Sequence, residues 1–573
     1  MNTASQNNTL TLQLNTARFI PPGLGIALAG YFLASFFSHF YPFTYQFILL
    51  NLLFQAIGWL VAFPFLTNVL PHQQVEWRNR WMTILIVSLS FFLAVSAILI
   101  SWQFPELFDR ELFFMEPARV PLFALVTILS TGNIFILRKL SFSPGILERL
   151  KENRVLHFLR GNVPGILLAT FFLATYLIFA QTLNFPGFRT LDQFFDMDIS
   201  DWLTRFARVV PQDVSMVRAV HPAVLLFLRP WVWFFAFFLH QDRVQAVFLM
   251  NAIAGAGCVF LAWLIVKKAS GNTVYALLFA SILGASCAHL LLGSMLETYI
   301  YSALALLFFF FLLQNENTSL KATVPVGIIV FGITITNIIQ TCILYFMKSP
   351  RIKTLLKYVL LVVFVTALLN VIQVWLYPEN ARSVFIPSNL LNEQKYGYNP
   401  FDLSWRTTGR FSLMMRALLL YGIAAPKPFI LTRELGMIVP NFRTFQITGG
   451  EFHVAGYAGL ADITIKFWMV ILLVSGSLFL LDLFKRPKHM ALSVGLLFCL
   501  GFNFALHMVY GDDPLLYSPN WVYALVLFVA FSLQKWADRK WLQLALTLFL
   551  VLQMSSNLML IYQIMKVSVP FYG

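Results

Sequence analysis

The sequence predicts an all-α polytopic membrane protein, a bundle of apolar helices carrying a large loop on one side. Three observations predict it. Of 573 residues, 59% are apolar and only 11% charged, against roughly 45–50% and roughly 25% in ordinary globular chains. So few charges cannot cover a soluble protein of this size. The apolar residues run continuously, as in residues 82–100, MTILIVSLSFFLAVSAILI, whereas a transmembrane β-barrel alternates them with polar ones. Finally, 40 Lys and Arg stand against 25 Asp and Glu, a net charge of +15. The basic residues gather in short turns between apolar runs, which is the pattern of cytoplasmic loops and not of a nucleic-acid surface.

A span needs about 20 apolar residues. Candidates 23–40, 43–69, 82–101 and 120–137 make a four-helix unit over residues 1–160. After the basic stretch 138–161 come 163–184, 245–266, 273–292, 298–313, 323–347 and 355–377, a module over 161–377. A loop over 378–465 follows, and 466–484, 489–510, 518–533 and 541–562 complete a C-terminal set of helices over 466–573. The N-terminus lacks a basic region followed by a short apolar core, so no cleaved signal peptide is expected and the first helix is read as an uncleaved signal. Cys258, Cys287, Cys342 and Cys499 all lie in apolar runs without metal-ligand spacing, and read as small packing residues.

Orientation follows from the loops. Stretch 138–161 holds Arg138, Lys139, Arg149, Lys151, Arg154 and Arg160 against Glu148 and Glu152, and is expected in the cytoplasm. The loop with Glu106, Asp109, Glu111 and Glu116 is expected outside. Lys267-Lys268 and the basic stretches 348–357, 485–488 and 535–540 all fall inside under two conditions. Residues 223–239 must lie at the outer surface or re-enter, and 323–347 must be two half-helices turning near Thr336-Asn337, where a polar pair interrupts the apolar run. Residues 185–221, Glu297, 378–465 and 511–517 then face outside.

The first of these outer loops concentrates carboxylates: Asp192, Asp196, Asp198, Asp201 and Asp213. Trp202, Leu203, Phe206 and Val209 recur at helical spacing with Arg205 and Arg208 between them, which predicts an interfacial amphipathic helix. A carboxylate held at such a low-dielectric edge has a raised pKa and suits a general base; the same residues also read as a solvated acidic loop matched to its arginines. Asp196-Met197-Asp198 is a D-x-D pair that could hold Mg²⁺ or Mn²⁺. His221-Pro222 opens an apolar stretch with Arg218 one turn earlier, a helix start that could also bind phosphate. Glu297 is an ionisable residue beside membrane helices, where charge is costly, and Tyr299 follows it either as a belt aromatic or as part of a site. Asn337 caps a broken backbone or faces a cavity. Asp512, Asp513, Tyr517 and Asn520 sit in a turn at the end of a span. Loop 378–465 adds Arg382, Lys395, Arg406, Arg410, Arg416, Lys427, Arg433 and Arg443 with Glu379, Glu393, Asp402, Glu434, Glu451 and Asp462, a composition suited to a lipid phosphate or a sugar. Its Gly-rich ITGGEFHVAGYAG has no preceding strand pattern and no P-loop lysine, so it is not a nucleotide motif.

Over residues 161–573 this arrangement resembles the GT-C superfamily of membrane glycosyltransferases, which includes protein O-mannosyltransferases and lipid A aminoarabinose transferases. The likeness rests on the helix 163–184 followed by Asp196 and Asp198, the amphipathic stretch from Trp202, and His221-Pro222-Ala223-Val224 in place of a His-Pro-Pro-Leu type motif. It continues with 245–266, Lys267-Lys268, 273–292, Glu297 and the two short helices of 323–347. The four N-terminal helices lie outside it. The resemblance implies a GT-C-like bundle with outer juxtamembrane helices in the plasma membrane. It implies inverting transfer of a hexosyl or pentosyl unit from a polyprenyl-phosphate sugar to a glycan, lipid or protein acceptor on the extracytoplasmic side. Asp198 is then the first choice for the base and Asp196 the second. Arg218, His221 or a basic residue of 378–465 would stabilise the departing phosphate, with Glu297, Tyr299, Asn337 and Tyr517 lining the cavity. The competing expectation is a transporter or flippase of a lipid-linked saccharide. It would share these polar positions, although the internal repeats common in transporters are not found.

Overall fold

The computed structural model describes residues 20–66, 80–139, 153–190, 193–207, 216–315, 319–398, 405–434, 438–483 and 490–571. Helices come first: α1 Ile20–His39, α2 Thr44–Leu66, α3 Arg80–Trp102, the one-turn α4 Arg110–Phe113, α5 Val120–Lys139, α6 Arg154–Gly161 and α7 Val163–Leu183. Then follow α8 Ile199–Ala207, α9 Val224–Phe238, α10 Arg243–Ser270, α11 Thr273–Gly284, α12 Cys287–Leu292, α13 Tyr299–Leu313, α14 Leu320–Ile333, α15 Ile338–Lys348 and α16 Ile352–Leu376. After α17 Pro387–Leu391 and α18 Trp405–Arg416 come two antiparallel hairpins, β1 Phe429–Glu434 with β2 Ile438–Arg443, and β3 Phe445–Thr448 with β4 Glu451–Val454. The chain closes with α19 Leu460–Leu483, α20 Met490–Val509, α21 Pro519–Leu533 and α22 Lys540–Ser568. Among the described residues, seven helices are long and apolar enough to cross a membrane: α3, α7, α10, α16, α19, α20 and the stretch that begins with α22. The protein is an all-α polytopic membrane protein.

Contacts divide the chain into two compact units, one of residues 1–94 and 109–174, the other of residues 95–108 and 175–573. The first unit packs Ala34, Phe47, Met115 and Phe123 with Tyr31, Phe54 and Leu122 into an apolar core. Arg119 satisfies the end of α1, donating to the carbonyls of Ser38 at 3.1 Å and Pro42 at 2.8 Å. Buried Gln55 donates from Nε2 to Thr127 Oγ1 at 3.0 Å. The basic stretch predicted at 138–161 falls largely outside the described residues.

The second unit is built around α10, which packs against α9, α11 and α13, and around α21, in which every residue is buried. Local signals fix α10 at both ends. Asp242 accepts from Gln245 N at 2.9 Å, and Gly271 takes φ 69° as the left-handed residue that ends the helix.

Two spans are broken, one where expected and one not. Residues 323–347 divide as predicted near Thr336-Asn337: α14 stops at Ile333, a 3₁₀ turn covers Ile335–Asn337, and α15 follows. The loop before α9 satisfies this break. Ile335 N donates to Val220 O at 3.1 Å, Ala223 N to Gly332 O at 2.9 Å, and His221 Nδ1 to Ile333 O at 2.6 Å. Residues 273–292, read as one span, are two helices, α11 and α12. Distant amides replace the helical bonds lost there. Asn557 Nδ2 donates to Ala285 O at 2.8 Å and Gln553 Nε2 to Ile282 O at 3.2 Å. At the far end of α12, Asn251 Nδ2 donates to Leu292 O at 3.0 Å, and just beyond it Asn184 Nδ2 donates to Ser294 O at 2.9 Å. A broken helix survives in an apolar interior only when its freed carbonyls find donors of this kind.

Candidate functional site

Residues 193–198 form a strap laid against β2. Phe442 N donates to Gln193 O at 2.7 Å and Phe195 N to Phe442 O at 2.8 Å. Phe195 and Asp196 then take φ 53° and 67°, a left-handed pair that side-chain-bearing residues adopt only when their surroundings impose it. The reversal points Asp196 at Arg443, with Oδ1 to Nη1 at 2.7 Å. It also points the Asp198 N–H at Glu297, donating to Oε1 at 2.7 Å. The other oxygen of Glu297 accepts from Thr298 N at 3.1 Å. Glu297 is 1% exposed. Burial, then the neighbouring Asp198 carboxylate, push it well above the ordinary carboxylate range, and the N–H groups of Asp198 and Thr298 offset this only in part.

Helix α8 follows the strap and overturns the interfacial expectation. Trp202, Leu203 and Phe206 are buried, and so is Arg205. Its guanidinium lies 4.6 Å over the Trp202 ring and donates to Asp201 Oδ2 at 2.7 Å. The apolar stripe faces protein, not lipid. Val209, Arg208, Asp192 and Asp213 lie outside the described residues. The exposed aromatic face belongs instead to α9, with Trp231, Trp233, Phe234 and Phe237.

A second cluster surrounds Arg218. Its Nη2 donates to the Tyr510 hydroxyl at 2.7 Å and lies 3.3 Å from Glu393 Oε2. Tyr510 donates in turn to the same Glu393 oxygen at 2.7 Å. The Tyr396 ring backs the guanidinium at 4.8 Å. Tyr299 and Tyr517 meet edge to face at 5.1 Å. Tyr299 lies within electrostatic reach of both Glu297 and Arg218, and Tyr517 of Arg218 and Asp196, so this pair joins the two clusters.

The turn after α20 completes the arrangement. Gly511 has φ 91°, and a Cβ there would stand 2.6 Å from the Tyr517 ring, so only glycine fits. Buried Arg410 staples this turn by donating to the carbonyls of His507 at 2.7 Å, Gly511 at 2.6 Å and Asp512 at 2.8 Å. Asp513 is fully buried and accepts from Thr444 N and Oγ1, both at 2.7 Å. It thereby fixes the residue beside Arg443. Asp512 accepts from the Tyr398 hydroxyl at 3.2 Å, and burial, then Asp196, push its carboxyl up.

The structure therefore brings together Asp196, Asp198, Glu297, Arg218, Tyr299 and Tyr517. His221 and Asn337 are placed otherwise. His221 is buried, meets Trp202 edge to face at 5.2 Å, and spends Nδ1 on the α14 break. Burial, then Arg218, push its pKa down to about 3, so it carries no charge for a phosphate near neutrality. Asn337 belongs to a ladder inside the bundle. It donates to Asn520 Oδ1 at 3.0 Å and accepts from Gln340 at 2.9 Å, and Gln340 accepts from Tyr523 at 2.9 Å. Among the described residues no three His, Cys, Asp or Glu side chains are grouped to hold a metal ion, and the Asp196 carboxylate faces Arg443. Sequence reasoning did not single out Glu393, Tyr510, Arg410 or Arg443 as site residues. The only signal was the charge content of 378–465 and the Gly511-Asp512-Asp513 turn.

The fold and site define a polytopic helical membrane protein with a buried acidic centre edged by arginine and tyrosine. No family model, no curated protein and no solved structure matches the chain.

Proposed function

We propose that the chain is a membrane glycosyltransferase of the GT-C type, moving a sugar from a polyprenyl-phosphate donor to an acceptor hydroxyl on the extracytoplasmic side of the plasma membrane. The observation that carries this reading is the strained strap, which turns Asp196 onto Arg443 and the Asp198 N–H onto Glu297, beside the Arg218–tyrosine cluster. Backbone strain persists where something over-determines it, and such places are commonly functional.

In this reading Asp198 takes the proton of the acceptor hydroxyl. The acceptor oxygen bonds to C1 of the sugar as the C1–O bond to phosphate breaks, and the electron pair leaves with the lipid phosphate, inverting C1. Burial pushes the Glu297 carboxyl well above its ordinary range, and Glu297 fixes the Asp198 backbone by accepting its N–H. Arg218 and the hydroxyls of Tyr510, Tyr299 and Tyr517 meet the leaving phosphate. Arg443 neutralises Asp196. No step is assigned to a cation.

The test is Asp198→Asn in cells that depend on the chain, with polyprenyl-phosphate sugars and envelope glycans profiled by mass spectrometry. One lipid-linked sugar should accumulate as its product falls by about 100-fold or more, with the variant's melting temperature unchanged. Product formation retained by both Asp198→Asn and Asp196→Asn would sink the assignment.

A further inference from the structure

Arg410 and Arg218 differ in how their donors are used. Arg410 is 3% exposed, with Nε, Nη1 and Nη2 all committed to backbone carbonyls. The Arg218 side chain is 25% exposed, and its ion pair with Glu393 is single-armed and long at 3.3 Å. Among the described residues its buried Nε has no hydrogen-bond partner. A guanidinium presents Nε and Nη as a fork matched to a two-oxygen anion, and Glu393 does not fill that fork.

The surroundings favour an anion larger than one carboxylate oxygen. Lys395 Nζ lies 4.7 Å over the Tyr396 ring, and Arg218 lies 4.8 Å over the same ring. Two cations thus share one aromatic ring with Glu393 as the adjoining carboxylate. Tyr510 adds a hydroxyl donor. Glu393 itself rides on a lightly anchored arm: neither α17 nor the 3₁₀ turn Asn392–Tyr396 contains a buried residue. The firm backbone attachments come at its end, where Tyr398 N donates to Val509 O at 2.8 Å and Gly511 N to Tyr396 O at 3.0 Å. Among the described residues, no backbone hydrogen bond joins residues 387–394 to the turn stapled by Arg410.

We propose that Glu393 is a built-in competitor of the Arg218 site, a tethered carboxylate that a phosphoryl group displaces as residues 387–394 swing away. The inference rests on the reading that Arg218 meets the donor's phosphate, and adds that the chain carries its own occupant for that place. A phosphate would take Nε and Nη together and keep the Tyr510 hydroxyl as a further donor. The competitor keeps a carboxylate beside the arginine between turnovers and weakens every phosphoryl ligand by the same factor, the fraction of time the arm is away.

The experiment is calorimetric titration of the full chain in lipid nanodiscs with a short-chain isoprenyl phosphate, and separately with inorganic phosphate. Glu393→Gln keeps the shape of the arm and removes its charge; it should tighten isoprenyl phosphate by about tenfold. Glu393→Ala should tighten it at least as much, and Arg218→Gln should abolish binding in either background. Tightening of both probes assigns the effect to the headgroup alone, and tightening of the isoprenyl phosphate only assigns a lipid-linked ligand; either supports the proposal. Unchanged or weaker binding in both Glu393 variants, with Arg218→Gln still inactive in binding, overturns the competitor and leaves the phosphate site standing. Full binding by Arg218→Gln overturns both.

Discussion

Arg410→Met removes a guanidinium and leaves a shorter, unbranched apolar side chain. Three of the lost contacts are short, to Gly511 O at 2.6 Å, His507 O at 2.7 Å and Asp512 O at 2.8 Å. Hydrogen bonds from a charged donor contribute about 1.5–3 kcal/mol each, and carbonyls left without partners add their desolvation. Part of the turn reaches water, so a local loss of about 3–4 kcal/mol is expected. At 1.4 kcal/mol per tenfold change, that is about two to three powers of ten in local opening. Hydrogen exchange with mass spectrometry should show it: a peptide spanning 507–518 should exchange that much faster, while peptides from α10 and α21 should not change. Arg410→Lys should fall between, because an ammonium is a point charge that cannot serve carbonyls spread along a fork. Unchanged exchange at 507–518 in Arg410→Met, or full protection in Arg410→Lys, would refute the stapling argument.

Two other expectations concern pH and topology. The folded His221 has its pKa depressed to about 3 from 6.5, so its stabilisation is complete above the unfolded value and is lost as pH falls below it. At pH 5 the unfolded chain takes a proton that the folded chain refuses, a loss of about 2 kcal/mol. Glu297 is shifted upward and acts in the opposite sense, so the contribution is read as the difference in melting temperature between wild type and His221→Gln. That difference should shrink from pH 7.5 to pH 5, and parallel curves would contradict it. For the proposed orientation, Lys267→Cys and Lys348→Cys should react with impermeant thiol reagents only from the cytoplasmic side; labelling at 267 from outside would make 223–239 a full span.

Much of this was legible because charge is rare in the chain. Asp196, Asp198 and Glu297 stand out against apolar neighbours, and the polar Thr336-Asn337 pair marks a break in an apolar run. The partners of these residues were not legible. Arg443, Glu393 and Arg410 lie in a loop where charges are common, and nothing in their spacing says which of them folds back onto a strap some two hundred residues earlier. The break after Gly284 was hidden for the opposite reason. Its residues are small and uncharged, and the amides that stabilise it come from Gln553 and Asn557 on α22. In α8 the helical period was right and its destination wrong, since an apolar stripe packs equally well against lipid or protein.

The break between α11 and α12 also sets an order for biosynthesis. Ala285 waits for Asn557, which follows 272 residues later in the last helix described. At about 5–20 residues per second, that is roughly 15–50 seconds during which the freed carbonyls of the interrupted segment lack their final donors. The half-made bundle must stay loose or hydrated there until α22 inserts and seals it. A chain halted before α22 would keep raw peptide groups at membrane depth, a mark by which unfinished copies differ from finished ones.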